Sequence, residues 1–296
     1  MVRAGLGCAA LSLLVVVVGM LAGSLLYVSL VKNLPSLDLL PELLNPSDGL
    51  LMRPTRIYDR SGQKLLMSLD NPGVSRRYLY MDPNQADHFS PELIRVIVGY
   101  FDPGFWKNPG VDFTRLTDPQ PYTIAERLVN DLLLWQESPG LARTLRMKLL
   151  AAQITSRYGQ VQVLEWYLNS AYFGHLAFGA DSAAHLYLDS SATKLDLPQA
   201  ALLAAALQAP ALNSVDAPAV ALKGQKDVLR QLLSRRVIDE EEYLRAVPAE
   251  LHLAQPPAAT QALARAFTQL VLERLSQQIS RERLERGGLK VITTLD

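Results

Sequence analysis

The chain has 296 residues, enough for one substantial hydrophobic core with additional segments, and its formal net charge is zero. A neutral chain has no overall electrostatic attraction to nucleic acid, so no nucleic-acid partner is expected. The single cysteine, Cys8, excludes a disulfide framework and a cysteine-based metal cluster. No two histidines have the spacing of a metal-ligand motif, so the residues themselves predict no metal site.

The N-terminus carries the most apolar segment of the chain. Residues 4–31 contain no charged residue, and about 20 apolar residues are enough to span a bilayer. A cleaved signal peptide, the alternative, has a shorter apolar region of about 7–15 residues. We therefore predict a single transmembrane anchor over residues 1–32. Arg3 before it and Lys32 after it weakly favour a cytoplasmic N-terminus, with the main domain outside the cytoplasm.

Residues 33–80 are predicted to contain a linker and a small β portion. Three prolines interrupt a leucine-rich stretch directly after the anchor. Thr55–Leu69 is typical of two strands joined by a turn at Asp59–Gly62.

Amphipathic helices are predicted for most of the remaining chain, so the fold class is mainly α. Ser90 as N-cap and Pro91 at the first helical position indicate the start of a helix that runs to Phe101. Further helices are predicted at 122–135, 141–159, 160–174, 180–188, 195–210, 224–247 with a turn near Val237, and 261–280. Residues 287–296 read as a strand without a neighbouring partner, which indicates either a following domain or pairing with a distant strand.

The segment Val163–Gly174, VLEWYLNSAYFG, resembles a motif of the peptidoglycan glycosyltransferases, glycosyltransferase family 51, that reads roughly I-L-E-x-Y-L-N-x-x-Y-F-G. These enzymes form the glycan-polymerising part of class A penicillin-binding proteins and also occur alone as monofunctional transglycosylases. The resemblance extends over the anchor, the helical body and the closing GGLKVITTLD. It implies a lysozyme-like glycosyltransferase fold for residues 81–250. Residues 251–296 would be a linker helix and a terminal strand leading to an absent transpeptidase domain.

The resemblance also implies a reaction and its location. In the family, lipid II or a growing glycan strand binds in a cleft, and a carboxylate acts as general base on the acceptor hydroxyl. A second carboxylate, basic side chains and often Mg²⁺ or Mn²⁺ organise the pyrophosphate that leaves. The implied partners are the membrane, lipid II or glycan, and other cell-wall synthesis proteins. The implied location is the bacterial inner membrane.

Both carboxylate positions of the family are occupied by apolar residues in this chain. A motif close to E-D-x-x-F-x-x-H-x-G-x-D places the general base at Phe101 and the histidine at Asn108. A pattern close to R-K-x-x-E places Met147 at the second carboxylate. Phenylalanine cannot accept a proton, and loss of a general base typically lowers the rate by about 10²–10⁴. We therefore predict an inactive or impaired member of the family.

One neighbouring carboxylate could replace the missing base. Asp102 is adjacent to Phe101, but one step along a helix turns a side chain by about 100°, so a locally irregular backbone would be needed. Asp112 and Glu126 are further candidates, although Asp112 could equally cap a turn.

Substrate contacts are predicted at motif positions that match the family and at Arg127, a cation one turn from the family's lysine position. The predicted set is Asp102, Phe105, Gly110, Asp112, Thr123, Arg127, Arg143, Glu165 and Asn169. The lysine of the family falls on Asn130, and Arg127 could replace its charge. Glu165 and Asn169 lie one helical turn apart and could instead hold the fold together.

Three functions remain open from the sequence. The chain could be a working glycosyltransferase with a rearranged site. It could be a non-catalytic relative that binds lipid II, glycan or a cell-wall synthesis protein. It could also be a scaffold without a ligand, which the unpaired terminal strand would favour.

Overall fold

The computed structural model describes residues 2–32, 34–71, 74, 76–255 and 265–296. Within them the chain is mainly helical with a small sheet, which confirms the predicted secondary-structure class. The strands are β1 Thr55–Tyr58, β2 Leu65–Leu69 and β3 Lys290–Ile292. The helices are α1 Val2–Val31, α2 Leu39–Leu43, α3 Pro91–Phe101, α4 Ile124–Leu132, α5 Leu141–Ser170, α6 Ala180–Leu188, α7 Leu197–Gln208, α8 Pro218–Ser234, α9 Glu240–Ala246, α10 Arg265–Ser276 and α11 Arg281–Arg286. The lysozyme-like topology and the domain boundaries stay predictions.

The C-terminal strand is paired. The sheet order is β2-β1-β3, with β1 antiparallel to β2 and parallel to β3. Ile57 in β1 stands opposite Met67 in β2 and Val291 in β3. The sequence left two alternatives for residues 287–296, a following domain or pairing with a distant strand. The structure shows pairing with a distant strand, β1.

Local capping explains where the helices of the central body begin. Ser90 Oγ accepts a hydrogen bond from the Leu93 amide at 3.1 Å, and Pro91 occupies the first turn of α3. Thr123 and Glu126 form a capping box at the start of α4. This helix is shorter than the predicted 122–135, because its N-cap is Thr123 and it ends at Leu132.

The long helix α5 contains the break that the sequence indicated between two helices. Gly159 has φ +79° and ψ 161°, so the regular helical path is interrupted there without an intervening loop. The second half ends at Ser170, with Ala171 as its C-cap, rather than at residue 174 as predicted.

The hydrophobic core lies among α3, α4, α5, α6, α7 and α8. Helix α7 is buried on most of its circumference, because small residues such as Ala200 and Ala204 alternate with leucines such as Leu203, and all three are fully buried. A helix that is apolar all round is typical of the centre of a domain.

The N-terminal helix α1 meets the body at its C-terminal end. The Arg146 side chain on α5 donates to the carbonyl oxygens of Leu30 at 3.0 Å and Ser29 at 3.3 Å. A cation at this position complements the negative end of the helix dipole. In the part of the chain that the structure describes, no helix qualifies by length and apolarity as a membrane span. The transmembrane anchor at residues 1–32 therefore stays a prediction.

Candidate active site

The two apolar residues that the sequence predicts at the family's carboxylate positions lie in the protein interior. Phe101 ends α3 with 8% of its surface exposed, and Met147 on α5 is fully buried. Both belong to the main hydrophobic core. The Arg127 guanidinium stands 4.9 Å from the centre of the Phe101 ring, a cation–π arrangement. Neither position offers an oxygen atom to a substrate.

Asp102, the candidate surrogate base, has both carboxylate oxygens engaged. Oδ1 accepts a hydrogen bond from the Asn108 side chain at 2.9 Å, and Oδ2 accepts one from the Ile124 amide at 3.1 Å. Burial raises the pKa of Asp102 above its ordinary value, and the neighbouring Glu126 acts in the same direction. The two hydrogen bonds and the charge of Arg127 oppose that rise. Asp102 is the C-cap of α3 and has a non-helical backbone, which is the irregularity that a replacement base at this position would need. The Asp102 carboxylate, however, joins the end of α3 to the start of α4.

Asn108, which the sequence predicts at the family's histidine position, closes the loop after α3. Its Nδ2 donates to Asp102, and its Oδ1 accepts from the Gly110 amide at 2.9 Å. A neutral amide holds the loop by donating and accepting at once, but it does not titrate.

Glu126 forms a buried ion pair that sequence reasoning missed. Lys148 Nζ lies 2.9 Å from Glu126 Oε2, and both side chains are almost completely inaccessible. The same carboxylate accepts from the Tyr122 amide at 2.8 Å and the Asp112 amide at 3.3 Å. Glu126 is therefore committed to internal partners and is not available as a base. Its capping-box spacing from Thr123 was visible in the sequence, but the burial of Lys148 was not.

Gly110 and Thr123 hold the loop between α3 and α4, and Gly110 lies directly against α5. Gly110 has φ +90°, and a Cβ atom there would lie 2.2 Å from Thr155 Oγ1 and 2.6 Å from the Ala151 oxygen. Thr123 Oγ1 donates to the Gly110 oxygen at 2.7 Å. Only glycine fits this close approach at that backbone angle.

Phe105 and Asp112 have structural contacts in the same loop. Phe105 is buried and packs edge-on against Trp106 at 5.0 Å. Asp112 accepts a hydrogen bond from the Thr114 amide at 2.9 Å and caps the short turn that follows. Hydrogen bonds from Thr114 lower the pKa of Asp112. The capping role proposed for Asp112 from the sequence is present.

The two arginines expected near the pyrophosphate differ in how many of their hydrogen-bond donors are already used. Arg143 donates to the Asn130 side chain at 2.8 Å and to the Leu134 oxygen at 3.3 Å. Among the described residues, the buried Nε of Arg127 has no hydrogen-bond partner. Arg127 therefore retains an unused donor, whereas Arg143 is bound to the end of α4.

Glu165 and Asn169 contact a different segment from the other predicted site residues. Glu165 accepts from the Tyr78 hydroxyl at 2.7 Å and from the Met81 amide at 2.7 Å. Asn169 exchanges hydrogen bonds with the Leu79 backbone at 2.9 and 2.8 Å. These contacts hold residues 78–81 against α5, which is the fold-holding alternative drawn from the sequence.

The residues do not form a preorganised metal site. In the described ranges, no group of three or more His, Cys, Asp or Glu side chains is arranged to hold a metal ion. Asp102 and Glu126 are hydrogen-bonded internally. Within the described part of the chain, these two carboxylates are therefore not free to bind the Mg²⁺ or Mn²⁺ that the resemblance implies.

Comparisons with known proteins find similarity to a transglycosylase family. Residues 122–233 match the transglycosylase family model. Penicillin-binding protein 1A of Aquifex aeolicus is 27% identical over an alignment covering 97% of this chain and 39% of that protein. Penicillin-binding protein 1A of Rickettsia prowazekii is 25% identical, covering 82% and 32%. A crystal structure of penicillin-binding protein 1A from Haemophilus influenzae aligns with a TM-score of 0.39 at 18% identity, covering 79% of this chain and 25% of that chain. The chain spans less than two fifths of the length of these curated relatives.

Proposed function

Because residues 122–233 match the transglycosylase family model and the chain is similar to class A penicillin-binding proteins, we propose that this protein is a membrane-anchored member of that cell-wall family with little or no glycan-polymerising activity. Residues 1–32 anchor it in the inner membrane as a single span, with the N-terminus in the cytoplasm and the main domain outside. Its expected ligand is lipid II or a glycan strand.

The main support for this proposal is that no nearby carboxylate among the candidates is free to act as the general base. Phe101 and Met147 replace both family carboxylates and are buried. Asp102 and Glu126 accept hydrogen bonds or an ion pair from neighbouring elements. A general base must reach the proton it removes, and Asp102 is buried with both oxygens already accepting a hydrogen bond.

A second candidate function is a non-catalytic scaffold that binds lipid II or a cell-wall synthesis protein. The Arg127 guanidinium on α4 supports lipid binding, because a guanidinium cation suits phosphate oxygens. Arg127 lies on α4, the helix that carries the family's cationic position at Asn130. An unpaired C-terminal strand would have favoured a scaffold without a ligand. Because β3 pairs with β1, that argument no longer applies.

The test measures lipid II binding and lipid II polymerisation with one preparation of the full chain in detergent. Binding without glycan chains on a gel is the expected result. Glycan chains formed at the rate of an active glycosyltransferase would overturn the proposal, and loss of those chains in Asp102→Asn would identify Asp102 as the base. If the protein neither binds lipid II nor polymerises it, the remaining function is a scaffold for a protein partner.

A further inference from the structure

A large cavity lies outside the candidate active site. Its volume is about 640 Å³, and its walls come from β2, the loop after α5, α10 and α11. This volume falls within the range of roughly 300–1,000 Å³ that is usual for small-molecule sites. The candidate catalytic residues Phe101, Asp102 and Met147 do not line this cavity.

One wall of the cavity is apolar. Met67 and Leu69, two residues apart on β2, place their side chains on the same face of the strand. Leu272 from α10 and Leu284 from α11 contribute to the lining as well. This wall suits a hydrocarbon or aromatic body.

The polar part of the lining carries an excess of negative charge. Arg281 is neutralised by Glu285, whose Oε1 lies 2.7 Å from Arg281 Nε. Glu273 also lines the cavity, and no cation from the described residues lies within ion-pair distance of it. Burial raises the pKa of the Tyr172 hydroxyl, so this group stays neutral and can accept a hydrogen bond. The three Arg and Glu side chains of the lining, Arg281, Glu285 and Glu273, together contribute a net charge of about −1.

The loop that closes the cavity has an unusual backbone. Gly174, His175 and Leu176 have consecutive positive φ angles of +97°, +49° and +59°. This conformation is unfavourable for histidine and leucine, and it persists where neighbouring contacts enforce it, often next to ligands. The Ala177 amide donates to the Gly174 oxygen at 2.8 Å, and the Asn71 side chain donates to the His175 oxygen. The loop thus holds the side chains of residues 175 and 176 in the cavity wall.

We propose that this cavity binds an amphiphilic organic cation, with an apolar body and one ammonium group. The ammonium group pairs with the Glu273 carboxylate and donates to the Tyr172 hydroxyl. The apolar body packs against the wall formed by Met67, Leu69 and Leu272. This site is independent of the glycosyltransferase cleft, so its occupancy does not depend on catalytic activity.

The experiment compares three probes of one shape that differ in charge: 4-phenylbutylamine, 4-phenylbutanol and 4-phenylbutyrate. Binding to the full chain in detergent is followed by ligand-observed NMR titration, with a protein-free detergent blank subtracted. The amine is expected to bind about three- to fivefold more tightly than the alcohol, as for an ion pair near the surface. The carboxylate is expected to bind most weakly.

Two variants locate the binding. Glu273→Gln keeps the shape of an exposed side chain and should remove the preference for the amine, while Glu250→Gln, an exposed control elsewhere, should retain it. Leu272→Trp fills the cavity and should abolish binding of both amine and alcohol. The proposal is overturned if the amine shows no saturable binding, if wild type does not prefer it over the alcohol, or if Glu273→Gln binds the three probes as wild type does.

Discussion

Lys148 Nζ lies 2.9 Å from Glu126 Oε2 in the interior, one residue after the buried Met147. The pair joins α4 to α5 beneath the loop that begins at Asp102. A buried ion pair contributes little net stability compared with apolar residues of the same volume, but removing one partner leaves a buried charge unpaired. The pair therefore fixes the arrangement of the loop and the two helices.

Substitution of Lys148 by methionine should be strongly destabilising. The change leaves the Glu126 carboxylate buried without its cation, and we expect a loss of about 3–5 kcal/mol in the free energy of unfolding. Denaturant unfolding of the full chain measures it. The exposed Lys223→Met is the matched control and should stay within about 0.5 kcal/mol of wild type. The double variant Lys148→Met, Glu126→Gln should recover part of the loss, and equal effects of the two single lysine variants would contradict the argument.

The raised pKa of Asp102 predicts a pH dependence of stability. Because the folded state holds the proton more tightly than the unfolded state does, the contribution of Asp102 is most favourable at low pH. It declines as the pH rises from the ordinary carboxyl value of 3.8 through the raised folded value. Asp102→Asn removes this titration, so the stability of wild type minus that of the variant should fall across that interval. Unfolding curves at a series of pH values test it, and a difference that rises with pH would show that the hydrogen bonds outweigh burial.

Gly110 should not tolerate a side chain. In Gly110→Ala the new Cβ would meet Thr155 Oγ1 and the Ala151 oxygen at a backbone angle of +90°. We expect destabilisation by about 2 kcal/mol or more, from steric overlap and the left-handed backbone together. Gly140→Ala is the control, because no atom lies within 4 Å of its added Cβ. Thermal unfolding of the two variants separates them, and similar midpoints would show that the loop can move away from α5.

The contacts of Glu165 predict that removing its hydrogen-bond donor will destabilise the fold. Tyr78→Phe removes the hydroxyl that donates to Glu165 Oε1 at 2.7 Å in a buried setting. Hydrogen bonds to charged groups contribute about 1.5–3 kcal/mol, so a loss of that size is expected. The exposed Tyr27→Phe serves as the control. If Glu165 instead served mainly to bind lipid II, Tyr78→Phe would weaken lipid II binding while leaving the unfolding transition unchanged.

Local sequence signals located much of the helical body. Ser90 with Pro91 is a short-range capping pattern that indicated the start of α3, and the amphipathic spacing of residues 122–135 indicated α4. Gly159 marked the break within α5 because glycine readily adopts the positive φ found there.

Long-range partners could not be predicted in the same way. The strand β3 pairs with β1 across more than 200 residues, and Lys148 meets Glu126 only because α4 packs against α5. Residue type alone does not show that a lysine is buried, since most lysines are exposed. The commitment of Asp102 and Glu126 to internal partners therefore became apparent only from the fold.

Carboxylates introduced at the two predicted family positions should differ in how much they destabilise the fold. Phe101 retains slight exposure and has the Arg127 guanidinium beside its ring, so the carboxylate in Phe101→Glu would have a cation nearby. Met147 is fully buried in the core, and Met147→Glu would bury a second carboxylate close to the Glu126–Lys148 pair. We expect Phe101→Glu to cost about 2 kcal/mol or less and Met147→Glu about 3 kcal/mol or more. Unfolding measurements on the single variants come first, followed by lipid II polymerisation with those that fold. Polymerisation by the double variant at the rate of an active glycosyltransferase would mean that the substrate path is intact and that only the carboxylates were missing.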